Sequence, residues 1–271
     1  MLKQGAHGPV NVFRMARKLL GRPFYWTAAY LVDGLLIDSG CAHAREEFLA
    51  ALAPTPPHTV VNTHGHEDHV AANAALALAY RCQVFAPAEE LAVLATPRDQ
   101  LYLRPYQLLM WGRPDPSQAE PLPQVIETAK HRFRVIPTPG HSVGHVSFYE
   151  PDQGWLFCGD AFIGGRDRAL REDYHIWPII ASLKKMAALP LAALFPGSGR
   201  VYTDPGPALK EKIAYLEDLG DKVLTLAAKG LSALAIRRRL FGRDPLIAYI
   251  TMGHFTGLNL VRSYLRGPSS D

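Results

Sequence analysis

Within six consecutive positions, His64 to His69, the chain sets three imidazoles and two carboxylates, in the stretch NTHGHEDHVAANA (62–74). His64 and His66 are two apart, just past a short apolar run. That spacing lets both rings turn to one side and hold one ion. Asp68 and His69 follow at the start of the next segment and can face a second point close by. Imidazole with carboxylate suits zinc, iron or manganese. An isolated histidine is usually a surface or core residue, but H-x-H-x-D-H is a ligand pattern.

Such a site needs further donors. TPGHSVGH (138–145) offers His141 at a Pro-Gly turn after a strand-like run, and FCGDAF (157–162) offers Asp160 at another strand end. One carboxylate there could bridge two ions. Loops at strand ends, gathered at one edge of a sheet, are where such sites are built.

Read in order, Asp38-Ser39-Gly40, THGHEDH, PGHS and CGDA, to about residue 200, resemble the metallo-β-lactamase superfamily. The resemblance implies an α+β fold, a four-layer αββα sandwich with metals at one edge. It implies that His64, His66 and His141 hold a first metal, that Asp68 and His69 hold a second, and that Asp160 bridges. Asp38 resembles the family's early aspartate, a supporting carboxylate rather than a ligand. The cofactor implied is a pair of Zn2+ ions. In the hydrolase reading they lower the pKa of a water from 15.7 toward ~7. That water attacks a carbonyl or phosphorus centre, with Asp68 and Asp160 as the catalytic carboxylates. No G-x-S-x-G elbow offers a serine nucleophile instead.

The chain departs from the family at one place. Where relatives commonly carry a histidine in a PGHG-like turn, this chain reads LFPGSGRVY (194–202), with Ser198 at that position. Three outcomes are open. The second site persists on Asp68, His69, Asp160 and water; or another histidine substitutes, His254 in YITMGHFTGLNL or His175 in REDYHIWP; or one metal binds. One Fe2+ on His64, His141 and Asp160 would make the facial triad of non-haem oxygenases. The alternative function is then a thiol or persulfide dioxygenase of the same superfamily. A phosphodiesterase or nuclease is a further alternative within the fold.

Other residues carry less. His145, four after His141, is expected to support the site rather than ligate. Cys41 and Cys158 are expected to be small buried hydrophobes. Arg200 either reaches substrate or forms a salt bridge. Tyr102, Tyr106 and Trp111 either line a pocket or pack. Arg237, Arg238 and Arg239 form a short basic run without the broad face and interleaved aromatics of a nucleic-acid site. The partner expected is a small-molecule substrate, not nucleic acid and not a membrane. No pattern specifies an oligomeric state.

The elements that must position these groups can be read coarsely. VNVFRM (10–15) reads as a strand, and FYWTAAYLVDGLLIDSG (24–40) as two strands turned at Asp33-Gly34. A helix over 44–53 ends before Pro54. TVVN (59–62) leads into the histidines, and a helix over 69–81 follows with Asp68 placed to cap it. CQVFAP (82–87) is another strand. Residues 97–124, with six prolines, form a surface excursion, partly helical around 99–111. Strand-like runs follow at 132–140, 145–150 and 154–160, then a helix at about 178–189 and a strand at 191–197. From Ala208 to Arg266 the pattern is helical, broken at 241–245. The expected division is a metallo-β-lactamase-fold domain over 1–207 and a helical lobe over 208–271.

Bulk properties agree with this. The 271 residues, 48% hydrophobic and 20% charged, allow one large core with a smaller lobe. The net charge is +4, with ten Lys or Arg against five Asp or Glu between Leu209 and Pro268, the expected mark of a solvated helical surface. Three scattered cysteines imply no disulfide framework. No apolar run reaches the roughly 18 residues of a membrane span. The N-terminus lacks an apolar signal region, so the cytoplasm is the expected location.

Overall fold

The computed structural model describes residues 1–19 and 21–267. One sheet contains, side by side, β1 (Leu2–His7), β2 (Val10–Leu19), β3 (Arg22–Val32), β4 (Leu35–Ile37), β5 (Thr59–Val61), β6 (Gln83–Ala86) and β7 (Glu120–Pro121). Asp33 and Gly34 have φ of 48° and 78°, the positive pair that a tight hairpin with right-handed strand twist requires. Pairing is antiparallel from β1 to β4 and parallel from β4 to β7. A second sheet starts with β8 (Val125–Glu127), β9 (Arg132–Pro137), β10 (Val146–Glu150) and β11 (Trp155–Gly159). Next in the chain, β12 (Leu170–Arg171) leaves the sheet. Then β13 (Ala193–Pro196) returns parallel to β11, and β14 (Phe255–Thr256) pairs with β12 in a separate ribbon.

The helices are α1 (Arg45–Leu52), α2 (Asn73–Tyr80), α3 (Leu91–Ala95), α4 (Pro97–Gln100), α5 (Pro105–Met110), α6 (Ile176–Ala187), α7 (Pro205–Ala228), α8 (Ala233–Phe241), α9 (Leu246–Ile250) and α10 (Gly257–Leu265). None is long and apolar enough to cross a membrane.

Three apolar layers separate four layers of structure. Between the sheets lie Phe133, Phe148, Phe157 and Phe195, all fully buried, each contributing roughly 1.5–3 kcal/mol of burial. Phe157 and Phe195 stack with centroids 4.4 Å apart. Outside the first sheet, Phe48 and Leu52 of α1 and Leu76 of α2 cover Leu36 and Val60. Outside the second, Leu183 and Met186 of α6, Leu216 of α7 and Tyr264 of α10 cover Leu156 and Leu194. The expected αββα sandwich with C-terminal helices is the fold. Those helices share one core with the second sheet, and position 207, the expected boundary, falls inside α7.

Local readings need correction. The helix expected from 69 begins at Asn73, and Ala72, not Asp68, is its N-cap. Residues between His66 and Ala72 are held by other bonds. The carbonyl of His69 accepts from Ser39 N and from Asn62 Nδ2, and that of Asp68 accepts from Thr27 Oγ1. Freed from helical geometry, both side chains can turn inward. The excursion, expected to be partly helical around 99–111, holds two short helices, α4 and α5. The strand LKQGAH (2–7) went unread because it lacks alternation; only its pairing with β2 defines it.

Candidate metal centre

Five strand ends meet at one edge. Asp38 follows β4, His64 follows β5, His141 and His145 lie between β9 and β10, Asp160 follows β11, and Gly197 follows β13. Val146 N donates to Thr63 O across the two sheets, and Gly197 N donates to Gly159 O. Parallel pairing of β4 with β5, and of β11 with β13, puts these carboxyl ends on the same side.

Two groups of donors converge there. His64, His66 and His141 form one and His64, His69 and Asp160 the other; within each, the ligand atoms lie within 4.8 Å of one another. His66 Nδ1 is 2.9 Å from both His64 Nε2 and His141 Nε2. Asp160 spans the groups, with Oδ1 3.5 Å from His69 Nε2 and Oδ2 3.5 Å from His141 Nε2. Asp68 joins beside His69, its Oδ2 3.7 Å from Nε2.

Neighbouring residues fix which nitrogens face inward. Asp38 Oδ2 accepts from His69 Nδ1 at 2.7 Å, and its carboxylate also accepts from Thr63 N and Thr63 Oγ1. With that hydroxyl donating to Asp38, the nearby His64 Nδ1, 3.0 Å away, serves as its donor. In the neutral form of both rings Nε2 is left with its lone pair, ready for a cation. His145 is consumed by support: Nδ1 meets Thr138 Oγ1, and Nε2 accepts from the backbone N–H of Asp160.

The electrostatics suit a cation. Burial, reinforced by neighbouring cationic and imidazole groups, holds His64, His66 and His141 well below the ordinary histidine pKa, so they are neutral donors. Burial also pushes Asp68 up to about 7, against the pull of His69. Burial opposes charge on His69, but Asp38, Asp68 and Asp160 outweigh it and raise its pKa. His69 Nε2 is buried without a hydrogen-bond partner. An orphaned imidazole nitrogen, facing carboxylates in a pocket of lone pairs, is what a divalent cation would satisfy.

Other candidates fall elsewhere. Ser198 is exposed, although its turn does reach the site. A Cβ on Gly197 would stand 2.3 Å from Asp160 Oδ1 and 2.8 Å from His69 Cε1. His254 joins neither donor group among the described residues; its Nδ1 is 2.8 Å from the Tyr106 hydroxyl. His175 sits at the N-cap of α6, also outside both groups. Arg200 lies over the Tyr202 ring. Cys41 and Cys158 are buried free thiols, pushed by burial to about 11 for Cys41 and higher for Cys158.

The sequence reading missed several neighbours. The Tyr174 hydroxyl lies 3.2 Å from His141 Nε2, and Arg171 stacks over the Tyr174 ring. Buried Glu67 accepts from Gln107 Nε2 at 2.8 Å. Tyr25 holds a φ of 51°, a strained angle for a tyrosine, beside Asp68 and Asp160. Only Glu67, a carboxylate inside the histidine loop, carried a local signal. Tyr106 and Trp111 line a cavity of about 360 Å³ that reaches His141 and Asp160.

Residues 27–198 match the family model described as the metallo-beta-lactamase superfamily. A hydroxyacylglutathione hydrolase of Mesorhizobium japonicum is 30% identical over 73% of this chain and 75% of its own length. One of Legionella pneumophila is 31% identical over 51% of this chain and 46% of its own. The chain thus spans only about half of some of the relatives it matches. Among solved structures, a metallo-beta-lactamase family protein of Thermus thermophilus superposes with a TM-score of 0.66 at 21% identity, covering 94% of this chain and 93% of that one. A metallo-beta-lactamase of Pontibacter korlensis gives 0.63 at 17% identity, over 80% of this chain and all of the other.

Proposed function

The chain belongs to the metallo-β-lactamase superfamily, and from that premise we propose that it is a metal-dependent hydrolase of a small ester, thioester or lactone. One observation carries the reading: two donor groups share His64 and are spanned by Asp160, around a buried, unpartnered His69 Nε2. His64, His66 and His141 would hold one Zn2+; Asp68, His69 and Asp160 would hold the other. Bound there, the cations would bring the pKa of water from 15.7 toward ~7 and polarise the scissile carbonyl.

The chain's own residues do the rest. Asp38 and Thr63 fix the tautomers of His69 and His64. His145 holds the backbone of Asp160 in place. Asp68, beside His69 at the same edge, is placed to orient the attacking water through its carboxylate. The Tyr174 hydroxyl stands where it can orient a substrate oxygen. Thioesters come first as substrates, because similar chains are named hydroxyacylglutathione hydrolases. A reducing, cytoplasmic setting suits the three free cysteines.

Exposed Ser198 favours a second reading. With no histidine on that turn, a single Fe2+ on His64, His141 and Asp160 would make the chain a dioxygenase. Metal content after purification without added metal or chelator, paired with anaerobic turnover of a chromogenic thioester, tests both. Two zinc ions per chain with anaerobic turnover is expected. One iron per chain, with oxygen consumption and no anaerobic hydrolysis, would replace the hydrolase by the dioxygenase.

A further inference from the structure

The cavity of about 360 Å³ beside the donor cluster falls in the range of small-molecule clefts. It shares His141 and Asp160 with the site, and its walls include Met110, Trp111, Ile163, Ile179, Ile247 and Phe255. A smaller recess containing His66 and Asp68 has many of the same walls, so the two are continuous.

Several polar groups in this wall are already engaged. The Tyr106 hydroxyl meets His254. Thr251 Oγ1 donates to Ile247 O and accepts from Phe255 N. Lys212 pairs with Asp167 at 2.7 Å, and Arg168 donates to Phe241 O. Among the described residues, that leaves the Tyr25 and Tyr174 hydroxyls, the Arg166 guanidinium, the other N–H groups of Arg168 and the buried Trp111 indole N–H. An occupant nonetheless meets apolar surface on most sides.

Resting on the hydrolase reading, we propose that the substrate's acyl group is an extended, apolar chain. It lies between Trp111 and Phe255 with its carbonyl at His141 and Asp160. A short hydroxylated acyl group would leave this space unfilled. Each methylene moved from water into such a wall tightens binding by up to about fourfold.

The test uses zinc-loaded protein in two measurements. Binding of acetate, butyrate and octanoate is followed by calorimetry, which needs no turnover. Hydrolysis of the corresponding p-nitrophenyl esters gives kcat/KM. We expect octanoate to bind at least ~10-fold more tightly than acetate, and kcat/KM to rise in parallel. Ile247→Trp, which fills the cavity, should lower the octanoyl-to-acetyl ratio measured within that variant. If the indole prevents folding, Ile163→Ser at an exposed wall position should lower the same ratio through lost contact. Equal affinities for acetate and octanoate would overturn the inference, even with acetyl ester turned over. Graded binding with no hydrolysis of any ester or thioester would instead overturn the hydrolase reading and leave the apolar specificity standing.

Discussion

His69 Nδ1 lies 2.7 Å from Asp38 Oδ2, while Nε2 of the same ring faces Asp160 at 3.5 Å with no hydrogen bond of its own. One carboxylate fixes the tautomer, and the free nitrogen is thereby presented to a second carboxylate. Asp38 holds a positive φ of 59° to do this, a backbone angle that costs energy in a non-glycine residue.

Asp38→Asn should weaken metal at the His69 and Asp160 group by about 10- to 100-fold, the usual cost of losing a carboxylate behind a ligating histidine. The ion on His64, His66 and His141 should remain. Metal content after dialysis against graded chelator measures both. Equal loss of both ions would show that Asp38 holds the whole loop rather than one ring.

His66→Ala removes a nitrogen within 2.9 Å of both His64 and His141. Because even an outer contact is worth ~10- to 100-fold, activity should fall by at least ~100-fold. Full activity in this variant would refute the site assignment.

Gly197→Ala places a methyl 2.3 Å from Asp160 Oδ1. Asp160 or the turn must move, and affinity at that group should drop at least ~10-fold. Unchanged metal binding would mean that the turn yields without moving Asp160.

Ser198→His should restore a donor on the turn and raise affinity for the second ion. Titration with zinc against a competing chelator reads this directly. An unchanged constant would place the side chain of residue 198 out of reach.

Burial, helped by Arg171 and Arg104, holds His254 down to about 4, against ~6.5 in an unfolded chain. Between those values the unfolded chain binds a proton that the folded ring refuses. Its contribution to stability is therefore complete above pH ~6.5 and declines as pH falls toward 4. The wild type should lose more urea stability between pH 7 and 4.5 than His254→Gln does. Equal losses would show that the ring titrates normally.

Much of this was legible beforehand. Asp33-Gly34 dictates a hairpin through backbone angles alone, and the strand-like runs at 145–150 and 154–160 contain the buried strands β10 and β11 of the second sheet. The histidine and aspartate types announced a metal chemistry. What could not be read was held by distant partners. Residues 69–72 look helical by composition, yet hydrogen bonds to Ser39, Asn62 and Thr27 hold the chain out of a helix there. Tyr174 and Tyr25 reach the site through packing, which leaves no periodicity in the sequence. Among the described residues His254 joins neither donor group, and its Nδ1 meets the Tyr106 hydroxyl instead.

Ile247, Thr251 and Phe255 wall the cavity, and the same C-terminal stretch sends Leu260, Val261 and Tyr264 into the core that covers the second sheet. Selectivity and heat tolerance are thus drawn from one short piece of chain. An evolving lineage that reshapes α9 and the ribbon after it to admit a new substrate would spend some of its margin against unfolding. Compensating substitutions should then gather on α10 and on α7 beyond Lys212, outside the cavity wall.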